Sequence, residues 1–316
     1  MSQYTSPSIA TNDGPPSITL PSGRKLVYHT YGVQSPIGGT TPPTILYLHG
    51  YPMSGVEASH LDELARAHGL RIIAPSRPGH STSDTDPNFT IMTVTSDLTN
   101  FLSALEVTSF AIFAASGGAP YALSLATVLP PSRLKAIAIF SGLYPLSLGS
   151  SGMEWAPWLV LQMSYYTPSL LHSAFDAQIG KLARDVERPD RFEHAVLHQM
   201  SGRPKADLEA IQNPDIKRAV IEGAREAVRV SSEGPMREGQ LLGMDWGFNL
   251  EDVKVKTFLY HGALDGQVPS RMAQDAAKLI PEAEIEVVEE EGHVSVVLKR
   301  REAALDHLKL ALVNES

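Results

Sequence analysis

Phe110-Ala111-Ile112-Phe113-Ala114-Ala115-Ser116-Gly117-Gly118-Ala119 sets six apolar residues directly before a serine and two glycines, and a segment of helical period opens at once behind them. Such an uninterrupted apolar run reads as a strand buried on both faces, the pattern of a parallel sheet covered by helices. A strand that passes into a helix over three small residues holds its serine at the tip of a tight turn, the arrangement of a nucleophile elbow. That turn needs small residues two before and two after the serine, and Ala114 and Gly118 meet the need.

Outward from this stretch, the runs 44–48, 71–74, 134–140, 257–260 and 285–288 also read as strands. Helical period recurs at 94–105, 119–128, 272–279 and 302–312. Strand and helix alternate, which predicts an α/β fold with a mostly parallel sheet flanked by helices. Residues 25–31 alternate apolar and polar as a half-buried antiparallel strand does, and a loop rich in Gly and Pro follows at 35–43. Between Tyr144 and about Met244 the alternation stops: no strand-like run occurs, and Trp155, Trp158, Met163, Tyr165 and Tyr166 gather near the start. The segment reads as a helical insertion. Because it follows a strand end, where open α/β sheets bind ligands, it is expected to cover the site as a lid; the alternative is that its aromatic helices only pack on the sheet. The expected organisation is a flexible leader at 1–23, a core of 24–144 and 245–316, and a helical lid at 145–244.

Composition narrows the function. The chain has 316 residues, 43% hydrophobic and 19% charged, which excludes general disorder. Its formal net charge is −9 and its longest basic run is Lys299-Arg300-Arg301, so no nucleic-acid partner is expected. No apolar run approaches the roughly 20 residues of a membrane-spanning helix, and residues 1–23, polar and rich in Ser, Thr and Pro, lack the pattern of a secretory signal. A cytoplasmic protein is the expectation. Without cysteine, disulfides, thiolate metal sites and cysteine nucleophiles are excluded. No Gly-x-Gly-x-x-Gly sequence and no phosphate-binding Gly-Lys-Ser/Thr loop occurs, so no cofactor is expected. His194 and His198 stand four apart on a helical segment, but with no following glutamate and no third ligand at metal-like spacing, no metal site is expected.

Three further motifs surround the elbow: His49-Gly50-Tyr51-Pro52 after the strand at 44–48, Arg77-Pro78-Gly79-His80-Ser81-Thr82-Ser83-Asp84, and a pair near the end, His261-Gly262-Ala263-Leu264-Asp265 through Pro269 and Glu291-Gly292-His293. With them the chain resembles the α/β-hydrolase family of serine hydrolases over about residues 24–312. It departs from the family pattern at Ala114 and at Ser81, where glycine is usual. The resemblance implies a triad of Ser116, Asp265 and His293, in the chain order this fold uses, and an oxyanion hole made by the N–H groups of Tyr51 and Gly117. His49 and Asp84 are read as structural. Asp252 precedes its strand rather than following it, so it is not the triad acid.

Each role has a chemical requirement. A serine hydroxyl is a poor nucleophile at neutral pH and needs an imidazole to take its proton; His293 is placed to do so. That imidazole must present the correct nitrogen and tolerate becoming a cation, so a carboxylate must hold its other N–H, the part assigned to Asp265. The expected function is cleavage of a carboxylic ester, a lactone or a related acyl compound through an acyl-enzyme. The substrate is expected to be a small apolar molecule, with Trp155 and Trp158 lining its site. An aminopeptidase, an acyltransferase, a lyase, or a small-molecule receptor with residual hydrolysis are the alternatives.

Overall fold

The computed structural model describes residues 14–34 and 41–313; residues 1–13 of the expected leader and 35–40 of the Gly/Pro-rich loop lie outside the described residues. The strands β1 (Ser17–Thr19), β2 (Lys25–Gly32), β3 (Thr44–Leu48), β4 (Arg71–Pro75), β5 (Phe110–Ala115), β6 (Leu134–Phe140), β7 (Lys256–Gly262) and β8 (Ala283–Val288) form one sheet in the order β1-β2-β4-β3-β5-β6-β7-β8. The pairs β1–β2 and β2–β4 are antiparallel and every other neighbouring pair is parallel. From β3 the chain moves outward to β4 and then returns past β3 to β5. The loops leaving β3 and β5 therefore diverge, and the crevice at their carboxyl ends is where such a sheet takes a ligand.

The first helices are α1 (Asp62–Ala67), α2 (Ile91–Ala104) and α3 (Ala119–Val128). The segment between β6 and β7 then holds α4 (Trp155–Tyr166), α5 (Pro168–Phe175), α6 (Lys181–Ala183), α7 (Pro189–Gln199), α8 (Lys205–Ala210), α9 (Pro214–Ala227) and α10 (Glu233–Leu242), and no strand. Last come α11 (Ser270–Ala277) and α12 (Ser295–Val313).

Side chains alternate across a strand, and β5 shows what that does here. Phe110, Ile112 and Ala114 join one core cluster with residues of α2, α3 and α11, while Ala111, Phe113 and Ala115 join another with residues of α1 and α12. Each fully buried Leu, Ile or Phe stabilises this layered packing by about 1.5–3 kcal/mol relative to exposure. On the second face Tyr47, Phe113, Phe140 and Tyr260 stack in sequence across β3, β5, β6 and β7, with centroids 5.4, 4.6 and 4.8 Å apart. Tyr47, Phe140 and Tyr260 lie at or near the C-terminal ends of their strands.

The structure corrects one boundary. Residues 17–19, inside the expected flexible leader, form β1 on β2, and Ile18 and Leu20 are buried in the first cluster. Two isolated apolar residues among Ser, Thr and Pro carry no readable period; pairing with a distant strand is what orders them.

Candidate active site

The turn after β5 follows from its residues. Ser116 adopts φ +46°, a left-handed conformation that a non-glycine residue holds only under constraint. The constraint lies two residues on, where a Cβ at Gly118 would stand 2.2 Å from the Leu48 carbonyl oxygen, so only glycine closes the turn against β3. Gly117 packs on Tyr51 so closely that a Cβ there would come within 2.8 Å of Tyr51 Cβ and 3.2 Å of its backbone N. The two residues expected to supply the oxyanion hole are thus in contact. Ala114 is fully buried, and the turn accommodates its methyl group.

His293 is held at three points. Its Nδ1–H donates to Asp265 Oδ2 at 2.7 Å, its backbone N–H donates to Asp207 Oδ2 at 3.0 Å, and its carbonyl accepts the Ser141 hydroxyl at 2.9 Å. Asp265 leaves the C-terminal end of β7, while its Oδ1 accepts the N–H groups of Gln267 and Val268, each at 3.0 Å. Burial alone would raise the Asp265 carboxyl; the charge of His293 and the hydrogen bonds from His261 and His293 outweigh it and keep the group well below the usual carboxylate range. Asp265 is therefore an anion aimed at one ring nitrogen of His293, with Nε2 left for a proton. The loop after β6 joins this unit to the serine, because Leu143 N–H donates to the Ser116 carbonyl at 3.2 Å while Ser141 binds His293. Among the described residues the Ser116 hydroxyl makes no hydrogen bond to the ring. Asp252 lies in a separate turn, Leu250–Asp252, ahead of β7.

His49 is buried, with Nδ1 against the Gly50 carbonyl at 2.9 Å and Nε2 accepting the Arg77 N–H at 3.3 Å. Burial, reinforced by Arg77 and His80, holds its pKa well below the ordinary value, so the ring is a neutral structural link. Asp84 Oδ2 accepts the Lys25 N–H at 2.7 Å, a strand-edge contact. On α7 the rings of His194 and His198 lie 6.5 Å apart. No helix among the described residues is long and apolar enough to cross a membrane.

A family model for the alpha/beta hydrolase fold matches residues 43–299. The chain belongs to the α/β-hydrolase-fold family. Among solved structures, this α/β hydrolase is similar to the enol-lactonase from Burkholderia xenovorans LB400, with a TM-score of 0.64 and 16% identity over 95% of this chain and 100% of the other. The esterase EaEST from Exiguobacterium antarcticum gives a TM-score of 0.62 and 18% identity over 94% and 98%. A bromoperoxidase from Bacillus anthracis gives 0.64 and 17% over 96% and 99%. At these identities the likeness shows the fold. No curated protein sequence matches the chain.

Sequence reasoning missed how the helices between β6 and β7 of this α/β hydrolase reach the candidate site. Asp207, on α8, accepts not only the His293 N–H but also those of Val294 and Ser295 at 2.9 Å, so it caps the start of α12 from 86 residues away. Glu238, on α10, is fully buried against Arg77 Nε at 2.5 Å and His80 Nε2 at 3.0 Å. Burial alone would raise the Glu238 carboxyl, but Arg77 and His80 bring it below its ordinary value. Arg77 in turn donates to the His49 and Gly50 carbonyls at 2.7 and 3.0 Å. Ser81, in place of the usual glycine, takes φ +56° and is compensated by its hydroxyl on Glu226 Oε1 at 2.5 Å and its N–H on the Ala227 carbonyl at 3.2 Å, both from α9. Each of these partners is remote in sequence, and a lone Asp or Glu on a helix reads as solvated.

Asp207→Ala would leave three backbone donors without their acceptor. It is expected to lower the unfolding free energy by about 2–3 kcal/mol, the sum of a lost helix cap and newly unsatisfied buried N–H groups. Urea denaturation checks this.

Proposed function

We propose that this α/β hydrolase is a cofactor-independent serine hydrolase that cleaves a carboxylic ester, a lactone or a related acyl compound. The observation that carries the reading is the 2.7 Å contact between His293 Nδ1 and buried, ionised Asp265, on a loop tied to the strained turn of Ser116. In the proposed reaction Ser116 Oγ attacks the substrate carbonyl as His293 Nε2 takes its proton, and the N–H groups of Tyr51 and Gly117 hold the oxyanion. His293 then passes the proton to the leaving oxygen. Water, deprotonated by the same ring, releases the acyl group. Among proteins of similar fold are an esterase and an enol-lactonase, which supports acyl chemistry; the bromoperoxidase is a reminder that a fold hosts several reactions. The test is a panel of esters, lactones, amides and thioesters of graded size, run beside Ser116→Ala. Turnover of the oxygen esters or lactones that is lost in the variant supports the reading, and turnover shared by both proteins rejects it.

In this reading residues 145–244 act as the lid. Trp155 opens α4 directly after Glu154, whose N–H donates to the Gly266 carbonyl at 2.7 Å, beside the triad acid. The Trp155 ring is 76% exposed and that of Trp158 43%, so Trp155 is not a packing residue of the core and is free to meet an apolar acyl or alcohol group. Burying such a group is worth about 25 cal/mol per Å² removed from water. Truncation of Trp155 or Trp158 to Ala is expected to raise KM for bulky apolar esters more than for acetate esters. A ratio of kcat/KM between large and small esters that stays constant in both variants would remove these rings from the substrate site.

A further inference from the structure

Glu57 belongs to neither the triad nor the Arg77–Glu238 cluster. It lies on the 3-10 turn Gly55–Leu61, which Ser54 caps after β3. Its Oε2 accepts the Gly50 N–H at 2.7 Å. The position a Cβ would take on Gly50 is 3.3 Å from Glu57 Oε1 and 3.5 Å from Ser116 Cβ, so the carboxylate and the nucleophile meet the same side of Gly50. Tyr47, whose hydroxyl lies 3.3 Å from His60 Nε2, favours the charged form of the carboxylate from β3, and the charges that act on it are Arg77 and His293. Helix α9, packed on the same turn, presents uncharged Gly223 to it.

Gly50 is therefore gripped from both ends. Glu57 holds its N–H, while Arg77 and His49 hold its carbonyl. The carbonyl of Gly50 and the N–H of Tyr51 share one planar peptide, so this grip sets the direction of the Tyr51 N–H. Resting on the serine-hydrolase reading, we propose that Glu57 is a positioning residue of the reaction: it fixes the turn that supplies the oxyanion donor, and its charge stabilises the His293 imidazolium that forms as Ser116 attacks. Enclosure pushes the Glu57 carboxyl up to about 7, against the Gly50 N–H, Tyr47, Arg77 and His293, which favour its charged form. It thus gains or loses its charge in the pH range where an imidazole works.

Glu57→Gln keeps an oxygen for the Gly50 N–H and removes the charge. The readout is the second-order rate at which a fluorophosphonate labels Ser116, followed from about pH 5 to about pH 9 across the range of an imidazole base. In the wild-type chain the acidic limb is expected to be steeper than a slope of one, because protonating Glu57 slows the reaction that protonating the imidazole base stops. In Glu57→Gln it is expected to fall to a slope of one, with the plateau reduced about tenfold, the loss of about 1.4 kcal/mol of transition-state stabilisation. A residue that only braces the fold would change the melting temperature and leave the limb in place. Should Glu57→Gln fail to fold, Tyr47→Phe removes a hydroxyl that favours the charged carboxylate and is expected to move the Glu57 step to higher pH. A unit slope shared by wild type and Glu57→Gln, or a limb unmoved by Tyr47→Phe, overturns the proposal while labelled Ser116 sustains the hydrolase reading. Failure of the wild type to label at all overturns that reading and the proposal with it.

Discussion

Asp265→Asn is expected to lower kcat by about 10⁴, with protein stability changed far less. An amide at this position can offer its N–H₂ to His293 Nδ1, which stabilises the tautomer whose Nε2 carries the proton, and that nitrogen can no longer take one from Ser116. The loss falls on kcat because the carboxylate acts on the imidazolium of the transition state rather than on bound substrate. The control is Asp252→Asn. Asp252 is exposed in the turn before β7, and its substitution is expected to leave turnover within about twofold, as surface changes do. Steady-state kinetics on both variants decides between them; a larger loss in Asp252→Asn would move the acid to the wrong side of β7.

Ser116→Ala is expected to reduce turnover by about three orders of magnitude or more, leaving only the residual rate that oxyanion donors and binding supply. Substrate affinity should be nearly unchanged, since the hydroxyl contributes a bond to the transition state and little to the ground state. The backbone at 116 keeps its strain in the variant, because Gly118 against Leu48 and the Leu143 N–H on the Ser116 carbonyl impose it. An intact fold with lost turnover is the result to look for, by circular dichroism beside the rate.

Much of this arrangement was legible in the sequence because it is local. An apolar run ending in Ser116-Gly117-Gly118 states its own turn, and β7 and β8 each run directly into the loop that carries Asp265 or His293. Tyr51 and Gly117, expected as oxyanion donors, lie just past the ends of β3 and β5 and pack against each other. What the sequence concealed is held by long-range contacts. Asp207 and Glu238 lie on amphipathic helices where a carboxylate looks solvated, and only the packing of α8 and α10 buries them against His293 and Arg77. Glu57 stands seven residues from Gly50, yet nothing in its neighbours reports that the chain doubles back to bring the two together. β1 was hidden because three residues have no period. In each case the missing information is a partner distant in the chain, or a turn whose closure depends on one.

The central claim is a covalent bond between an acyl group and Ser116. Rapid acid quench during turnover of an ester identified by the panel, followed by peptide mapping with mass spectrometry, reads that bond directly. The predicted result is the mass of the acyl group on the peptide containing Ser116, absent in Ser116→Ala and accumulating in Asp265→Asn only as far as its slower acylation permits. An acyl adduct on another residue, or full turnover by Ser116→Ala, would contradict the account.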